Sequence, residues 1–387
     1  MSGVPQNGPL SGLRVLDFST LLPGPFATLM LADMGAEVVH VESPNRVDMV
    51  RVIPPYADGT STAHAYLNRN KASLALDLKD PASIALIEKC IAEYDIVVEQ
   101  FRPGVMDRLG LGYERLSQLN PRVVYCSITG YGQTGPLKDR AGHDINYLAL
   151  SGIAGHSGRQ DAGPPPLGIQ VADVAGGSLH AVIGILAAVV ERQRTGIGQH
   201  IDISMTDCAF ALNSMAAAAQ LAGHQPQRPE AGILNGGSFY DYYRTADGQY
   251  LAIGSLEPQF MQVLCDVVGH PEWLPLGLSQ NTADQQQLQL GLRNLIASAP
   301  LSIWQQRLAG RDACIEPVLS LEEACSSELA QARGWIADVP NASGGFQRQP
   351  AFAIKFSRSQ PAYHHIGKPL GADNPAFLAT ITPDSES

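Results

Sequence analysis

Short apolar runs alternate with longer segments of helical periodicity from Leu13 to Ile128. Residues 13–18 predict a strand, and Pro23-Gly24-Pro25 opens a helix that ends at Gly35. Residues 37–41 predict a second strand, which completes a βαβ unit. The alternation continues with strands at 73–78, 95–98 and 122–128 and a helix at 81–94. This pattern predicts an α/β fold with an open parallel sheet that is covered on both faces.

A change of composition near residue 223 predicts a domain boundary. Before it, the pattern predicts an apolar helix at 178–192, a strand at 199–205 and an alanine-rich helix at 206–222. After the polar, proline-bearing linker 223–230, Ala246-Asp247-Gly248 lies between two strand-like runs and predicts a hairpin. Helices are predicted at 258–269, 285–299 and 301–309. We therefore expect a large domain at 1–222, completed by a C-terminal arm at 325–387, and a smaller α+β domain at 231–324.

Charge and hydropathy exclude several classes of partner. The chain has 387 residues and a formal net charge of −11, with no block of Lys or Arg, so a nucleic-acid platform is not expected. No uninterrupted apolar run reaches the length of about 18 residues that a membrane span needs. The segment Met1–Leu10 does not resemble a signal peptide, and no Ser-Lys-Leu ends the chain. We therefore expect a cytoplasmic protein without a membrane span.

Common cofactor and metal motifs are missing from the sequence. No P-loop, zinc-protease or serine-hydrolase motif occurs, and Gly110-Leu111-Gly112-Tyr113-Glu114-Arg115 lacks the third glycine of a dinucleotide fingerprint. The six cysteines form no spacing that is typical of a metal site. We therefore expect neither a metal nor a tightly bound cofactor.

Two polar residues precede predicted helices and carry groups suited to acid–base chemistry. His143 follows Gly142, and Asp144 can cap a helix with Ile145 on its apolar face. Histidine has a pKa suited to proton transfer without tuning, although a polar residue at a helix start can also be purely structural. Asp173 precedes Gly176-Gly177 and a long apolar helix.

The carboxylate of Asp173 admits three interpretations. It can simply cap the following helix. Beside free backbone N–H groups, it can instead remove the α-proton of a thioester, or attack the carbonyl carbon and form an anhydride. Glu257, before Pro258, is either an ordinary acid at a helix start or a carboxylate that orients the histidine.

Basic residues recur in the early loops. Singly, each is most simply a solvated surface charge, but together they can bind phosphates at the carboxyl edge of an open sheet. The set comprises Arg46, Arg51, Arg69, Lys71, Lys79 and Arg102.

Several motifs occur in an order that resembles the family III CoA-transferases (CaiB/BaiF) over nearly the whole chain. They are Leu13-Arg14-Val15-Leu16-Asp17, Leu31-Ala32-Asp33-Met34-Gly35-Ala36-Glu37-Val38, Asn68-Arg69-Asn70-Lys71, Phe101-Arg102-Pro103-Gly104 and Thr129-Gly130-Tyr131-Gly132-Gln133-Thr134-Gly135-Pro136. Gly142-His143-Asp144-Ile145-Asn146-Tyr147, Glu257-Pro258-Gln259-Phe260 and Asp312-Ala313-Cys314 resemble the branch of α-methylacyl-CoA racemases.

The resemblance implies a fold, a partner and roles for named residues. It implies an interlocked homodimer with a Rossmann-like large domain that binds the CoA part of an acyl-CoA substrate. His143 and Asp173 would be the acid–base pair, and Glu257 would support His143 from the partner subunit. The residues implied to contact CoA are Arg46, Arg69, Asn70, Lys71, Arg102, Tyr131 and Asp144.

Three functions remain open at the level of sequence. The first is a racemase that interconverts (R)- and (S)-2-methylacyl-CoA by proton transfer through an enolate. The second is a CoA-transferase in which Asp173 is the nucleophile, and the third is a non-catalytic CoA-binding protein. Glu316 and the loop 156–168 depart from the family pattern, so the acyl specificity is open.

Overall fold

The computed structural model describes residues 8–224 and 227–381. The described chain divides into two compact units. The larger contains the described residues up to Ser151, Gly168–Leu212 and those from Glu328 onward, and the smaller contains Gly152–Leu167 and Asn213–Ser327. The predicted linker 223–230 lies inside the smaller unit, and its residues 225 and 226 are outside the described part. The boundaries differ from the predicted ones mainly because the segment Gly152–Leu167 joins the smaller unit.

Strands and helices are numbered separately along the chain. The strands are β1 (Arg14–Asp17), β2 (Glu37–Glu42), β3 (Tyr56–Ala57), β4 (Thr60–Ser61), β5 (Ala72–Ala75), β6 (Ile96–Glu99), β7 (Val124–Thr129), β8 (His200–Ser204), β9 (Asp241–Arg244), β10 (Tyr250–Ile253), β11 (Ile315–Pro317), β12 (Ile336–Pro340) and β13 (Phe346–Pro350). The helices are α1 (Pro23–Asp33), α2 (Thr62–Leu67), α3 (Pro81–Cys90), α4 (Val105–Arg108), α5 (Tyr113–Leu119), α6 (Asp144–Leu150), α7 (His180–Thr195), α8 (Met205–Leu212), α9 (Ser214–Leu221), α10 (Pro258–Val268), α11 (Leu274–Gly277), α12 (Thr282–Ile296), α13 (Leu301–Leu308), α14 (Leu321–Ser326), α15 (Glu328–Arg333) and α16 (Asn374–Ile381).

The larger unit is built on a six-stranded sheet in the order β5-β2-β1-β6-β7-β8. All neighbouring strands in it are parallel, which confirms the predicted α/β class. The chain moves outward from β1 through β2 to β5 and then returns to β6 on the other side of β1. In sheets of this kind, ligands bind at the carboxyl ends of the strands where the order reverses, here between β1 and β6.

Apolar strand residues explain why the sheet forms where the sequence predicted it. Val15, Leu16, Val97 and Val98 are at most 2 % exposed, as expected for strands that helices cover on both faces. α1 starts with Pro23 in its first turn, where a missing N–H leaves no helical bond unmade. The predicted helix at 81–94 is α3 followed by one 3-10 turn.

A π-helix, Ala172–Leu179, runs directly into α7. The sequence placed the start of this helix at Ser178, so the helical stretch begins earlier than predicted. The π-helix and α7 together, Ala172–Thr195, are long and apolar enough to cross a membrane by length and composition. This finding weakens the expectation that the chain has no candidate membrane span. A core helix passes the same test, and Ala181, Ile185 and Ala188 are buried in the larger unit.

The smaller unit has a three-stranded antiparallel sheet in the order β11-β10-β9. β9 and β10 form the predicted hairpin, whereas the short strand β11 was not predicted. One face of the sheet packs on α10, α12 and α13 around Trp304, which is 1 % exposed. The predicted helix at 206–222 is broken at Asn213 into α8 and α9, and Ser214 has a positive φ of 35°.

Candidate active site

A cavity of about 290 Å³ lies in the larger unit at the point where the strand order reverses. Its walls come from the chain that follows β1, β6 and β7, together with the segments that carry His143 and Asp173. The lining residues are Leu21, Leu22, Pro23, Gln100, Phe101, Arg102, Pro103, Ile128, Thr129, Gly130, Lys138, Arg140, Ala141, Gly142, His143, Tyr147, Asp173 and Met205. The fold therefore brings the two residues proposed for acid–base chemistry to one cavity.

His143 is the N-cap of α6 and is exposed. Its backbone N–H donates to Oδ1 of Asn146 at 3.0 Å, which fixes the start of the helix. The prediction that Asp144 caps this helix is wrong, since Asp144 is its first residue. Tyr147 and Leu148 form the buried face of α6, whereas Ile145 is 60 % exposed.

Two tyrosines pack behind His143 and leave room only for glycine at position 142. The Tyr147 hydroxyl donates to the Gly142 carbonyl at 2.6 Å, and the Tyr131 and Tyr147 rings meet edge to face at 5.3 Å. A Cβ at Gly142 would lie 2.6 Å from the Tyr131 hydroxyl and 2.7 Å from Cε1 of Tyr147. Burial, and then the nearby Asp173, raise the pKa of Tyr147 above its usual range, so this phenol is neutral.

Asp173 lies in the first turn of the π-helix and is partly buried. Burial raises the pKa of its carboxyl to about 6, the negative charge of Asp144 adds to that increase, and His143 opposes it. A carboxyl group with this pKa is available in both protonation states near neutral pH. Such a group can accept a proton and return it.

Asp144 holds the start of the helix that carries Asp173. Its Oδ1 accepts the backbone N–H of Ala172 at 2.6 Å and that of Asp173 at 3.0 Å. The next N–H, from Val174, donates to the carbonyl of Gln170 at 3.0 Å. The prediction of free N–H donors beside Asp173 is therefore wrong, because Asp144 and Gln170 already accept from them.

Among the basic residues predicted to bind phosphate, Arg102 is exposed and lines the cavity, and Arg46 is exposed elsewhere. Lys138 and Arg140 also line the cavity and were not predicted. Both lie in a loop after β7, outside the early loops in which the predicted cations occur. The sequence could have indicated these two residues, because they lie close to Gly142-His143 in the chain.

Arg69 and Lys71 are not surface charges. Arg69 is 1 % exposed, and its Nε and Nη2 donate to the Asp33 carboxylate at 3.1 and 2.5 Å. Nζ of Lys71 donates to Asp17 at 3.2 Å, and both side chains are buried. Asn70 donates to Oδ1 of Asp33 at 3.0 Å. Their roles in CoA binding remain predictions, and these internal contacts weigh against them.

Glu257 lies in the smaller unit, in the connection between β10 and α10. It is exposed and is the N-cap of α10, with Pro258 in the first turn. This is the position of an ordinary acid at a helix start, which is one of the two interpretations that the sequence allowed. In this position the carboxylate is accessible to solvent.

One group of potential metal ligands occurs in the described part of the chain. Ligand atoms of His40, Glu42 and Asp48 lie within 4.8 Å of one another, and all three residues are buried. Arg51 donates to Glu42 through Nε at 2.8 Å, and Nδ1 of His40 lies 3.2 Å from the Asp17 carboxylate. The group is part of an internal charge network, and the expectation of no metal remains a prediction.

Residues 10–374 match the model of the CoA-transferase family III, and the chain belongs to this family. The resemblance noted in the sequence is thereby confirmed. A crystal structure of a CAIB/BAIF family protein from Brucella suis superimposes with a TM-score of 0.83 at 29 % identity, covering 97 % of this chain and 100 % of that one.

Racemases and CoA-transferases both occur among the relatives of this chain. Alpha-methylacyl-CoA racemase from Mus musculus is 42 % identical over 318 residues, which is 81 % of this chain and 79 % of that protein. Succinyl-CoA:glutarate CoA-transferase from Mus musculus is 34 % identical over 356 residues, which is 90 % of this chain and 81 % of that protein. The family is thus established, and racemases and transferases are both among the relatives.

Proposed function

We propose that this enzyme is a racemase that interconverts (R)- and (S)-2-methylacyl-CoA without a metal or redox cofactor. The observation that carries the proposal is that His143 shares one cavity with an Asp173 carboxyl whose pKa is raised to about 6. Racemisation needs two groups that exchange protons with the same carbon near neutral pH, and an imidazole and this carboxyl meet that need. The racemase relatives, at about 40 % identity, support the same assignment.

The reaction removes one proton from C2 of the acyl group and adds another proton to the same carbon. In one direction, ionised Asp173 removes the α-proton, the C–H electron pair moves toward the thioester carbonyl, and an enolate forms. Protonated His143 then donates a proton to the other face of C2, which restores the carbonyl with inverted configuration. In the reverse direction neutral His143 is the base and protonated Asp173 is the acid.

The enolate oxygen requires hydrogen-bond donors, which supply much of the barrier reduction in such reactions. The N–H groups around Asp173 are already bonded to Asp144 and Gln170. In contrast, the backbone N–H groups of Asp144 and Ile145, at the start of α6, have no hydrogen-bond acceptor among the described residues. We therefore assign the oxygen to this end of α6, beside His143, where the helix dipole favours negative charge.

The CoA part of the substrate is assigned to the carboxyl edge of the sheet. Arg102, Lys138 and Arg140 give the cavity a positive wall suited to phosphate groups. Tyr131, which packs on Tyr147, and Asp144, which fixes the Asp173 helix, border the same site. We also propose that Arg46, which is exposed outside the cavity, contacts a phosphate group of CoA.

The active assembly is proposed to be an interlocked homodimer in which Glu257 of one copy supports His143 of the other. Exposed apolar side chains on the larger unit support a partner surface, since large exposed apolar patches mark interaction sites. Ile183 and Val190, seven residues apart on α7, are 63 % and 61 % exposed. Mixing a His143→Ala chain with a Glu257→Ala chain tests the arrangement, because only the mixed dimer would contain one intact pair.

The alternative is a CoA-transferase in which the Asp173 carboxylate attacks the thioester carbonyl. The thioester C–S bond breaks, so that an aspartyl anhydride forms and the CoA thiolate leaves. The thiolate then attacks the aspartyl carbonyl of the anhydride, which gives an enzyme-bound CoA thioester and releases the original acyl group as a carboxylate. The transferase relatives, which cover about 90 % of the chain, favour this candidate. It uses Asp173 but gives His143 no necessary role.

Incubation of (R)-2-methyldecanoyl-CoA in D₂O, without an acceptor acid, tests the proposal. Deuterium at C2 with loss of optical purity is the expected result, and His143→Ala and Asp173→Ala should both abolish racemisation. Absence of exchange would reject the racemase for this substrate. CoA transfer to an added carboxylic acid, lost in Asp173→Ala but retained in His143→Ala, would then establish the alternative.

A further inference from the structure

The π-helix that carries Asp173 packs closely against the start of α1 and the start of α8. A Cβ at Gly177 would lie 3.1 Å from Cβ of Pro23 and 3.1 Å from Cγ of Met205. A Cβ at Gly176 would lie 3.1 Å from the Met205 carbonyl oxygen. Pro23 and Met205 line the active-site cavity together with Asp173. The wide helical turn is therefore in contact with two other walls of the same cavity.

Ser178 joins the π-helix to α1 by hydrogen bonding. Its side chain is fully buried, and its hydroxyl donates to the Pro23 carbonyl oxygen at 2.7 Å. The carbonyl oxygen of Asp173 lies 3.2 Å from the same hydroxyl oxygen. One hydroxyl proton is thus shared between two carbonyl groups, one at the start of α1 and one on the backbone of Asp173.

The contact between Ser178 and Asp173 belongs to π-helical geometry. In an α-helix, a serine hydroxyl that bonds to its own helix reaches the carbonyl three or four residues earlier. Ser178 instead reaches back five residues, which is the step of a π-helix. His180 repeats this step, because its Nδ1 lies 2.7 Å from the carbonyl oxygen of Ala175. Two side chains therefore stabilise the wide turn.

The wide turn determines where the Asp173 side chain points. A return to α-helical geometry would shift the residues before the turn by about one position relative to α7. One position in an α-helix corresponds to a rotation of about 100° and a rise of about 1.5 Å. The Asp173 carboxyl would then leave its present place in the cavity wall.

We propose that Ser178 is a positioning residue for the proposed reaction, which keeps the Asp173 carboxyl in the active-site cavity by fixing the π-helical turn to α1. Asp144 holds the N–H groups of Ala172 and Asp173 at the start of this turn. Ser178 holds the carbonyl group of Asp173 from the other side. The inference rests on the proposed function only for the chemical role of Asp173, which the racemase and the transferase share.

Removal of the Ser178 hydroxyl leaves the charges around Asp173 unchanged. In the described part of the chain, this hydroxyl bonds to the backbone carbonyls of Pro23 and Asp173 and to no charged side chain. A change in the ionisation of Asp173 in a Ser178 variant therefore reports a change in position and burial. The titratable and charged groups that face Asp173 are His143, Asp144 and Tyr147 of α6 and Arg102, Lys138 and Arg140 of the cavity wall.

Kinetics of Ser178→Ala, with a matched control, test this role. Ser61→Ala is the control, because Ser61 is 1 % exposed, donates to the Ile53 carbonyl at 2.6 Å and does not line the cavity. Each variant loses one buried hydrogen bond, so similar decreases in melting temperature are expected. Ser178→Ala alone should also lower kcat for α-proton exchange of 2-methyldecanoyl-CoA in D₂O about 10-fold, with KM unchanged. Ser178→Thr keeps the hydroxyl and should recover much of the lost kcat.

The ionisation of Asp173 supplies a measurement that needs no turnover. NMR titration of ¹³C-labelled aspartate, assigned with Asp173→Asn, should give a midpoint near pH 6 in the wild type and in Ser61→Ala. The midpoint should be lower in Ser178→Ala, because a displaced carboxyl is less buried. A Ser178→Ala protein that matches Ser61→Ala in kcat and in this midpoint would overturn the proposal. Absence of exchange in the wild type would reject the racemase instead, and the titration would still decide the role of Ser178.

Discussion

The Asp144 carboxylate accepts the backbone N–H of Asp173 at 3.0 Å and adds its negative charge to the burial that raises the pKa of the Asp173 side chain. One residue thus fixes where Asp173 is held and contributes to the pH at which it ionises. The two effects are separable, because an amide oxygen in place of the carboxylate can accept the same N–H groups without the charge.

Asp144→Asn should lower the pKa of Asp173 from about 6 toward its ordinary value of 3.8. In the direction where Asp173 is the base, the acidic limb of the profile of kcat/KM against pH therefore moves to lower pH. Burial persists in the variant, so the shift is partial. Asp139→Asn, which removes an exposed charge before His143, serves as the control. An acidic limb that stays near pH 6 in Asp144→Asn would contradict the assigned cause.

Asp173 should also make the free energy of unfolding depend on pH. Its folded-state pKa is raised from 3.8 to about 6, so its contribution to stability is complete below pH 3.8 and is lost as the pH rises through 6. Asp173→Asn removes this loss. Urea unfolding at pH 4.5 and 7.5 should show the variant gaining on the wild type at the higher pH, by at most about 2 kcal/mol, because part of the loss has already occurred at pH 4.5. A difference that is the same at both pH values would show that ionisation is not involved.

Local patterns were sufficient to predict most of the large sheet. β1, β2, β6 and β7 each match an apolar run of the sequence, because strands covered on both faces are mostly apolar. The third strand of the small sheet, β11, has only three residues and its middle residue is Glu316, so it offers neither an apolar run nor an alternation long enough to recognise.

The sequence was sufficient to select residues of the site, but not to predict the long-range hydrogen bonds and ion pairs that they form. His143 and Asp173 could be chosen because each precedes a helix. No local pattern indicates that Asp144 binds N–H groups 28 residues further along the chain. Likewise, Arg69 follows the family pattern of a basic loop, and only the packed structure shows that Asp33 neutralises it inside the larger unit. Long-range partners of charged residues depend on the tertiary fold.

Gly142→Ala should reduce activity by displacing Tyr147 and the adjacent His143. The added Cβ would approach the Tyr131 hydroxyl to 2.6 Å and Cε1 of Tyr147 to 2.7 Å, and overpacking of this kind typically costs about 1–3 kcal/mol. We expect a lower melting temperature and a lower kcat. Addition of Tyr131→Phe removes the closest contact and should restore part of both. No recovery in the double variant would show that Tyr147 alone sets the constraint.

Substitution of Arg69 and substitution of Arg102 should have different effects, one on stability and the other on KM. This difference shows which of the two residues contacts CoA. Arg69→Met leaves Asp33 buried and unpaired, so it should lower the free energy of unfolding by about 3–5 kcal/mol. Arg102 is exposed in the cavity wall, so Arg102→Ala should leave stability unchanged and raise KM for acyl-CoA about 10-fold. The increase in KM should shrink at high salt, because an exposed phosphate contact is screened. If Arg69→Met instead retains wild-type stability and raises KM, its guanidinium contacts the substrate and the internal ion pair with Asp33 is not its main role.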